Sequence, residues 1–337
     1  MAALSAALAL LSGAIGAGFA SGREILRFFA SHGAMAGAAI VCALMMLAFS
    51  FLRLPAQMER SGCASLADLC RLRFGERLGR LCAALFFLLF SITGGAMLAA
   101  CAELAALTMN VRHAYAGGMI ASLLLAALLA RRGISGLAPI GALLLLLLPA
   151  MMLRLLSLPA GEACFLPAMV PDLPVRAALE GTAYGALNAA MLAGALPMLL
   201  SLAPTARRRS VAVFSALFGV LLLLGTAVCK RHMPSILHQA MPFVYLSRAL
   251  GPGGYFLVAA CLYAASFSTL LAMLAGLRRM TGKAHGAYLP PLCCLLAALV
   301  GFGPLVKSAY PVLGALCAGL LLLLCFSPCG REAPQRT

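Results

Sequence analysis

The sequence predicts an all-α integral membrane protein of about ten transmembrane helices, arranged as two halves of opposite orientation. Three observations carry this. The chain is 64% hydrophobic and only 10% charged, with a mean hydropathy of +1.04. Its apolar residues fall into ten stretches long enough to span a bilayer, which needs about 20 residues per helix. The first stretch of each half is interrupted by Gly or Pro.

Composition excludes several classes. No water-soluble surface can be assembled around so apolar a chain. The net charge of +16 and pI near 9.8 raise the question of nucleic acid. The basic residues lie between apolar stretches and are not interleaved with base-stacking aromatics, so no nucleic-acid partner is expected. Most of the thirteen cysteines, among them Cys42, Cys101, Cys261 and Cys317, sit inside apolar segments as small hydrophobes. Cys293-Cys294 and the remainder lack zinc-ligand spacing, and no metal site or other cofactor is expected. The start, MAALSAALALL, has no Lys or Arg ahead of its apolar run and leads into no polar domain, so a cleaved leader is not expected.

The spans are placed at 3–30, 34–53, 81–108, 114–130, 134–156, 177–201, 210–229, 252–277, 288–306 and 311–327. Residues 63–82, with apolar positions at helical spacing on a basic background, read as an interfacial helix. Residues 234–251 read as ordered but not spanning. The stretch 158–174, LPAGEACFLPAMVPDLP, has four prolines and no period, and is expected to be irregular. One transmembrane domain of residues 1–328 follows, with repeat one at about 1–157, repeat two at about 175–328 and a tail at 329–337.

Orientation follows from the basic residues. With the N-terminus inside, sixteen of the 25 Lys and Arg fall in cytoplasmic connections, including Arg131, Arg132, Arg207, Arg208 and Arg209, and seven in outer ones. Arg23 and Arg27 lie within the first span. The positive-inside rule sets both termini in the cytoplasm. The histidines at 113, 232, 238 and 285 then fall in loops and are read as solvated.

An odd number of spans per half makes an inverted repeat available, and both halves open on a broken helix. Span one carries LSGAIGAGFASGREILRFF (residues 11–29), with Gly13, Gly16, Gly18 and Gly22. Span six carries EGTAYGALNAAMLAGALP (180–197), with Gly181, Gly185, Gly194 and Pro197. Unwound backbone in hydrocarbon survives only where its free N–H and C=O groups meet a ligand, an ion or water. The half-helix ending near Gly16 presents carbonyls to a cation, and the one beginning near Gly22 presents positive dipole to a carboxylate. The competing explanation is that these glycines are close-packing faces.

At GAIGAGFASGREILRFF the chain resembles the YkvI-like bacterial membrane proteins, whose first helix usually reads close to GAGFASGQEI-x-QFF. YGALNAAMLAGALP, MPFVYLSRALG and YAASFSTLLAML extend the resemblance in order and spacing. Arg23 and Arg27 depart from it where Gln is usual. The resemblance implies the amino acid–polyamine–organocation superfamily, a LeuT-like five-plus-five fold with helices one and six broken, and a location in the bacterial cytoplasmic membrane. It also implies a sodium site where span one meets span eight. Carbonyls near Ser12 and Ile15 and the hydroxyls of Ser268 and Thr269 would form it, with oxygen ligands suited to an alkali cation. The alternative for these hydroxyls is bonding to their own helix.

Candidate substrate-binding residues are those of the first break, Gly16, Ala17, Gly18, Phe19, Ala20, Ser21 and Gly22, with Tyr184 and Asn188 one turn apart on span six. Ionisable groups within spans are costly and point to function. Arg23, Glu24 and Glu103 are the gate or proton-coupling candidates. In this reading an arginine pairs with a carboxylate over the substrate; the competing one places Glu103 at the headgroup interface and Glu180 at the N-terminal dipole of span six.

The expectation is a secondary active transporter of a small polar organic solute, an amino acid or related amine, coupled to sodium or to protons. A sensor or assembly partner with a transporter fold is the alternative. An enzyme is not expected, because no His lies at mid-span and the carboxylates sit toward one edge. A channel would need a ring of charge or a carbonyl filter, and none is present.

Overall fold

The computed structural model describes residues 2–63, 65–109, 111, 113–132, 138–159, 173–233 and 235–326. These residues form helices and turns and no strand. The tail 329–337 and most of the stretch 158–174 lie outside the described residues.

Span one is broken twice, giving α1 (Ala2–Ala14), α2 (Ala17–Ala20) and α3 (Arg23–Phe28). There follow α4 (Ala36–Ser61), α5 (Leu66–Met109), α6 (Ala114–Arg132) and α7 (Ala138–Leu156). Next come α8 (Pro174–Met191), a 3-10 turn at Leu192–Ala195 and α9 (Leu196–Leu200). Then come α10 (Pro204–Arg231), α11 (Pro242–Ser247), α12 (Gly251–His285), α13 (Leu289–Ala298), α14 (Phe302–Pro304) and α15 (Tyr310–Phe326).

Seven of these helical stretches are long and apolar enough to cross a bilayer, and Ala2–Ala14, Leu147–Leu156 and Leu289–Ala298 are shorter apolar helices. Large apolar side chains face outward on them, among them Leu124 and Leu128 of α6, Val220 and Leu223 of α10 and Leu296 of α13. In water so much exposed apolar area would aggregate; against lipid it is the natural surface. The chain is a multi-pass membrane protein.

Two boundaries and one histidine differ from the sequence expectation. The interfacial segment and span three form one stretch that reverses at Gly75, where φ is +77°. The second arm packs on the first so tightly that a side chain at Gly79 would meet the Arg71 backbone. The division between spans nine and ten falls at Gly301, with φ of +91°, not near residue 307. Only a residue free to adopt a positive φ turns the chain there, and Lys307 then belongs to a π turn that leads into α15. His232 is buried, with Nε2 3.0 Å from the Leu155 carbonyl, and is not solvated as expected, whereas His113, His238 and His285 are exposed.

The core is centred on span one. Helix α1 packs on α10 and α7, α8 lies along α4 and α15, and α12 lies along α5. Gly181 and Gly185 serve this packing: a side chain at either would collide with the carbonyls of Ala39 and Ala43 on α4. Of the interruptions expected in span six, these two are therefore close-packing positions. The helix is interrupted only at residues 192–195.

Candidate functional site

The two breaks in span one are chemically different. At the second, Gly22 takes a left-handed φ of +81° and packs against the Phe243 ring. The Ser21 carbonyl accepts the Phe243 amide at 2.9 Å, and the Gly22 carbonyl accepts the Leu26 amide at 2.9 Å. The polar groups of this break are satisfied by protein. Glu24 lies in the first turn of α3, and no side chain caps that helix.

The first break is open. The Gly16 amide turns to Ala14 O at 3.2 Å, and the Ala17 amide donates to the Met97 sulfur at 3.2 Å. Those two amides would ordinarily bond the carbonyls of Ser12 and Gly13, which are thus left without their helical donors. Thr269 of α12 stands beside Gly16, with Oγ1 3.5 Å from where a Cβ would be.

A cavity of about 600 Å³ lies beside this break. Ser12 and Gly13 of span one, Met191 and Gly194 of span six, and Ser268 and Thr269 of α12 line it, together with Ser5 and Arg279. Gly13 has no side chain because the Leu192 side chain fills that space. The cavity thus meets spans one and six at their interruptions.

The expected ion-site residues are partly assembled. Ser12, Ser268 and Thr269 share the cavity, while Ile15 is buried. Both hydroxyls donate to Ala265 O, at 2.9 and 3.1 Å, as back-bonding predicts. Their oxygen lone pairs remain able to accept a cation or a donor.

The remaining substrate candidates are enclosed. Ala17, Gly18, Phe19, Ala20, Ser21 and Gly22 are buried, and the Phe19 ring stacks on Phe218 at 5.3 Å. Tyr184 is fully buried between Phe28 and Phe29, and its hydroxyl donates to Glu24 Oε2 at 3.2 Å. The Glu24 carboxylate lies over Gly18, where any side chain would displace it. Asn188 donates from Nδ2 to Tyr184 O at 3.0 Å, while its buried Oδ1 has no hydrogen-bond partner among the described residues. Tyr310 is also buried, and its hydroxyl faces that of Thr93.

The arginines do not pair with Glu24. Arg23 donates to the carbonyls of Leu237 and Gln239 at 3.0 and 2.9 Å. Arg27 donates to Glu180 Oε2 at 2.5 Å, and Glu180 also receives Arg176 at 3.1 Å and lies 3.1 Å from His32 Nε2. The carboxylate that pairs with an arginine of span one is therefore Glu180, which the competing sequence reading assigned to the N-terminal dipole of span six, and not Glu24. Glu103 stands beside Tyr115, apart from this cluster.

Sequence reasoning missed His32, Tyr310, Thr93, Met97, Met191 and Arg279. His32 and Tyr310 had a signal, since each is a polar side chain near or within an apolar stretch. The methionines had none, because thioethers are indistinguishable from core filling until a neighbouring amide is seen pointing at them.

No protein-family model matches this chain, and no curated protein matches it in sequence. The fold is nevertheless shared with a solved membrane transporter. Crystal structures of two mutants of the Eremococcus coleocola manganese transporter superpose with TM-scores of 0.58 and 0.59, at 15% identity, over 96% of this chain and 76% of theirs. The same transporter in complex with an aromatic bis-isothiourea substituted compound gives 0.58 at 14% identity over the same shares. At this identity the likeness establishes the fold.

Proposed function

We propose that this chain is a secondary active transporter of a small polar organic solute, an amino acid or related amine. The observation that carries the reading is the cavity beside the interruptions of spans one and six, with the exposed Ser5 and Arg279 among its lining residues. A solute path that meets interrupted helices is what alternating access requires. The shorter helices Ala2–Ala14, Ala138–Leu156 and Leu289–Ala298, added to the seven longer ones, support ten spans in a five-plus-five, LeuT-like arrangement with membership of the YkvI-like family. Both termini then lie in the cytoplasm of a bacterial cell, and the cavity faces inward.

On the opposite side Arg27 and Glu180 tie span one to span six, the pairing that closes an outer gate. The driving cation is sodium, held by Ser12, Ile15, Ser268 and Thr269, or a proton at Glu24. Manganese, the neighbour's solute, is poorly matched. The cavity offers hydroxyls and thioethers without a carboxylate, and among the described residues no three His, Cys, Asp or Glu gather as a metal site, whereas a hard divalent ion favours carboxylate oxygen.

Thermal unfolding of the purified protein against amino acids and amines, with sodium or potassium and at two pH values, tests the reading. A ligand of the native state raises the apparent midpoint. A shift confined to one solute class, and lost in Thr269→Leu, is expected. No shift with any solute returns the chain to the alternative, a sensor or assembly partner that has kept the fold.

A further inference from the structure

The strongest unexplained feature is Glu24. Its side chain is 4% exposed and its one hydrogen bond among the described residues comes from Tyr184. A carboxylate in so dry a place must be compensated. The cations nearest in sequence are committed elsewhere, Arg23 to carbonyls and Arg27 to Glu180. The other titratable groups turned toward this turn are Tyr184 of α8, Tyr310 of α15 and Cys229 of α10, whose thiol contacts the Gly22 carbonyl at 3.8 Å. All three are neutral hydrogen-bonding groups.

A polar line leads away from it. The buried Tyr310 hydroxyl interacts with Glu24 and Tyr184 on one side and with the Thr93 hydroxyl on the other. The Thr93 hydroxyl donates to the Met191 sulfur at 3.5 Å, and Met191 lines the cavity. These hydroxyls are groups able to pass a proton between Glu24 and the solute path.

We propose that Glu24 is a proton-binding site and that Tyr310 and Thr93 are its relay to the cavity. This rests on the reading of the cavity as the solute path. A hydronium ion at Met191 gives up its proton to the Thr93 oxygen, each hydroxyl passes its own proton onward, and the Glu24 carboxylate ends as the neutral acid with water left in the cavity. Each relay hydroxyl has gained one proton and given one, and rotation restores its original direction, so one proton and one charge are moved. Tyr184 holds the carboxylate in place through the whole exchange.

Infrared difference spectroscopy after a pH jump, on the full chain in phosphatidylethanolamine and phosphatidylglycerol vesicles, tests this without any solute. The carbonyl stretch of a protonated carboxylic acid should rise on acidification and be absent from Glu24→Gln. Tyr310→Phe and Thr93→Val should keep its final amplitude but slow its appearance by about a hundredfold, the usual worth of a positioned proton carrier. Thr93→Ser, which keeps the hydroxyl, should react at the wild-type rate. The proposal is overturned if no such band appears, if it survives in Glu24→Gln, or if Thr93→Val and Tyr310→Phe react as fast as wild type. A chain that binds no solute but shows the band would retain the proton site and lose the transporter reading.

Discussion

Asn188 separates a structural from a binding role more cleanly than any other residue. Its Oδ1 is buried and unpaired, a condition that costs about 1–3 kcal/mol. Asn188→Leu, of similar volume, should therefore leave the unfolding midpoint unchanged or raised, while abolishing the solute-induced shift. A large loss of stability would mean that the amide serves packing alone. Gly22 makes the opposite case. Its φ of +81° and the Phe243 ring against it predict that Gly22→Ala lowers stability by about 1–3 kcal/mol, measured by denaturation in detergent. The role of Gly22 in the break was legible in the sequence, because a glycine ahead of charged residues marks a helix start. That its break is satisfied by Phe243 was not, since the partner lies more than two hundred positions away.

At the scale of elements, the clasp between α3 and α8 is the testable unit. Arg27, Arg176 and His32 converge on Glu180. Arg27 and Glu180 are partly solvated, so a double-mutant cycle on the pair should return a coupling of about 1 kcal/mol or less. Its effect on conformation should be larger than its effect on stability. Glu180→Gln should increase labelling of cysteines introduced on the outer faces of α3 and α8 by an impermeant maleimide, and unchanged labelling would remove the pair from gating. The sequence placed every long helix, because apolar length is read directly from composition. It misplaced turns that depend on one glycine, as at Gly75 and Gly301, and it could not separate the packing glycines 181 and 185 from the true interruption at 192–195. Only the approach of the Ala39 and Ala43 carbonyls distinguishes them.

For the whole molecule, the interruptions near Gly16 and Gly194 were legible in the sequence, and the structure brings the neighbouring Ser12, Gly13, Met191 and Gly194 to one cavity. What composition could not supply was that Ser268 and Thr269 of α12 share it, because that depends on how distant helices pack. The proposed inward-facing arrangement predicts that a cysteine replacing Gly194 reacts with impermeant reagent from the Arg279 side only, and that bound solute protects it.

Uptake into proteoliposomes tests the central claim most directly. Vesicles holding the purified chain are given radiolabelled amino acids and amines under an imposed sodium or proton gradient. Accumulation of one solute class against its gradient, dependent on one of the two cations and lost in Thr269→Leu, is the predicted result. A folded, correctly reconstituted protein that accumulates none of them under either gradient would contradict the account.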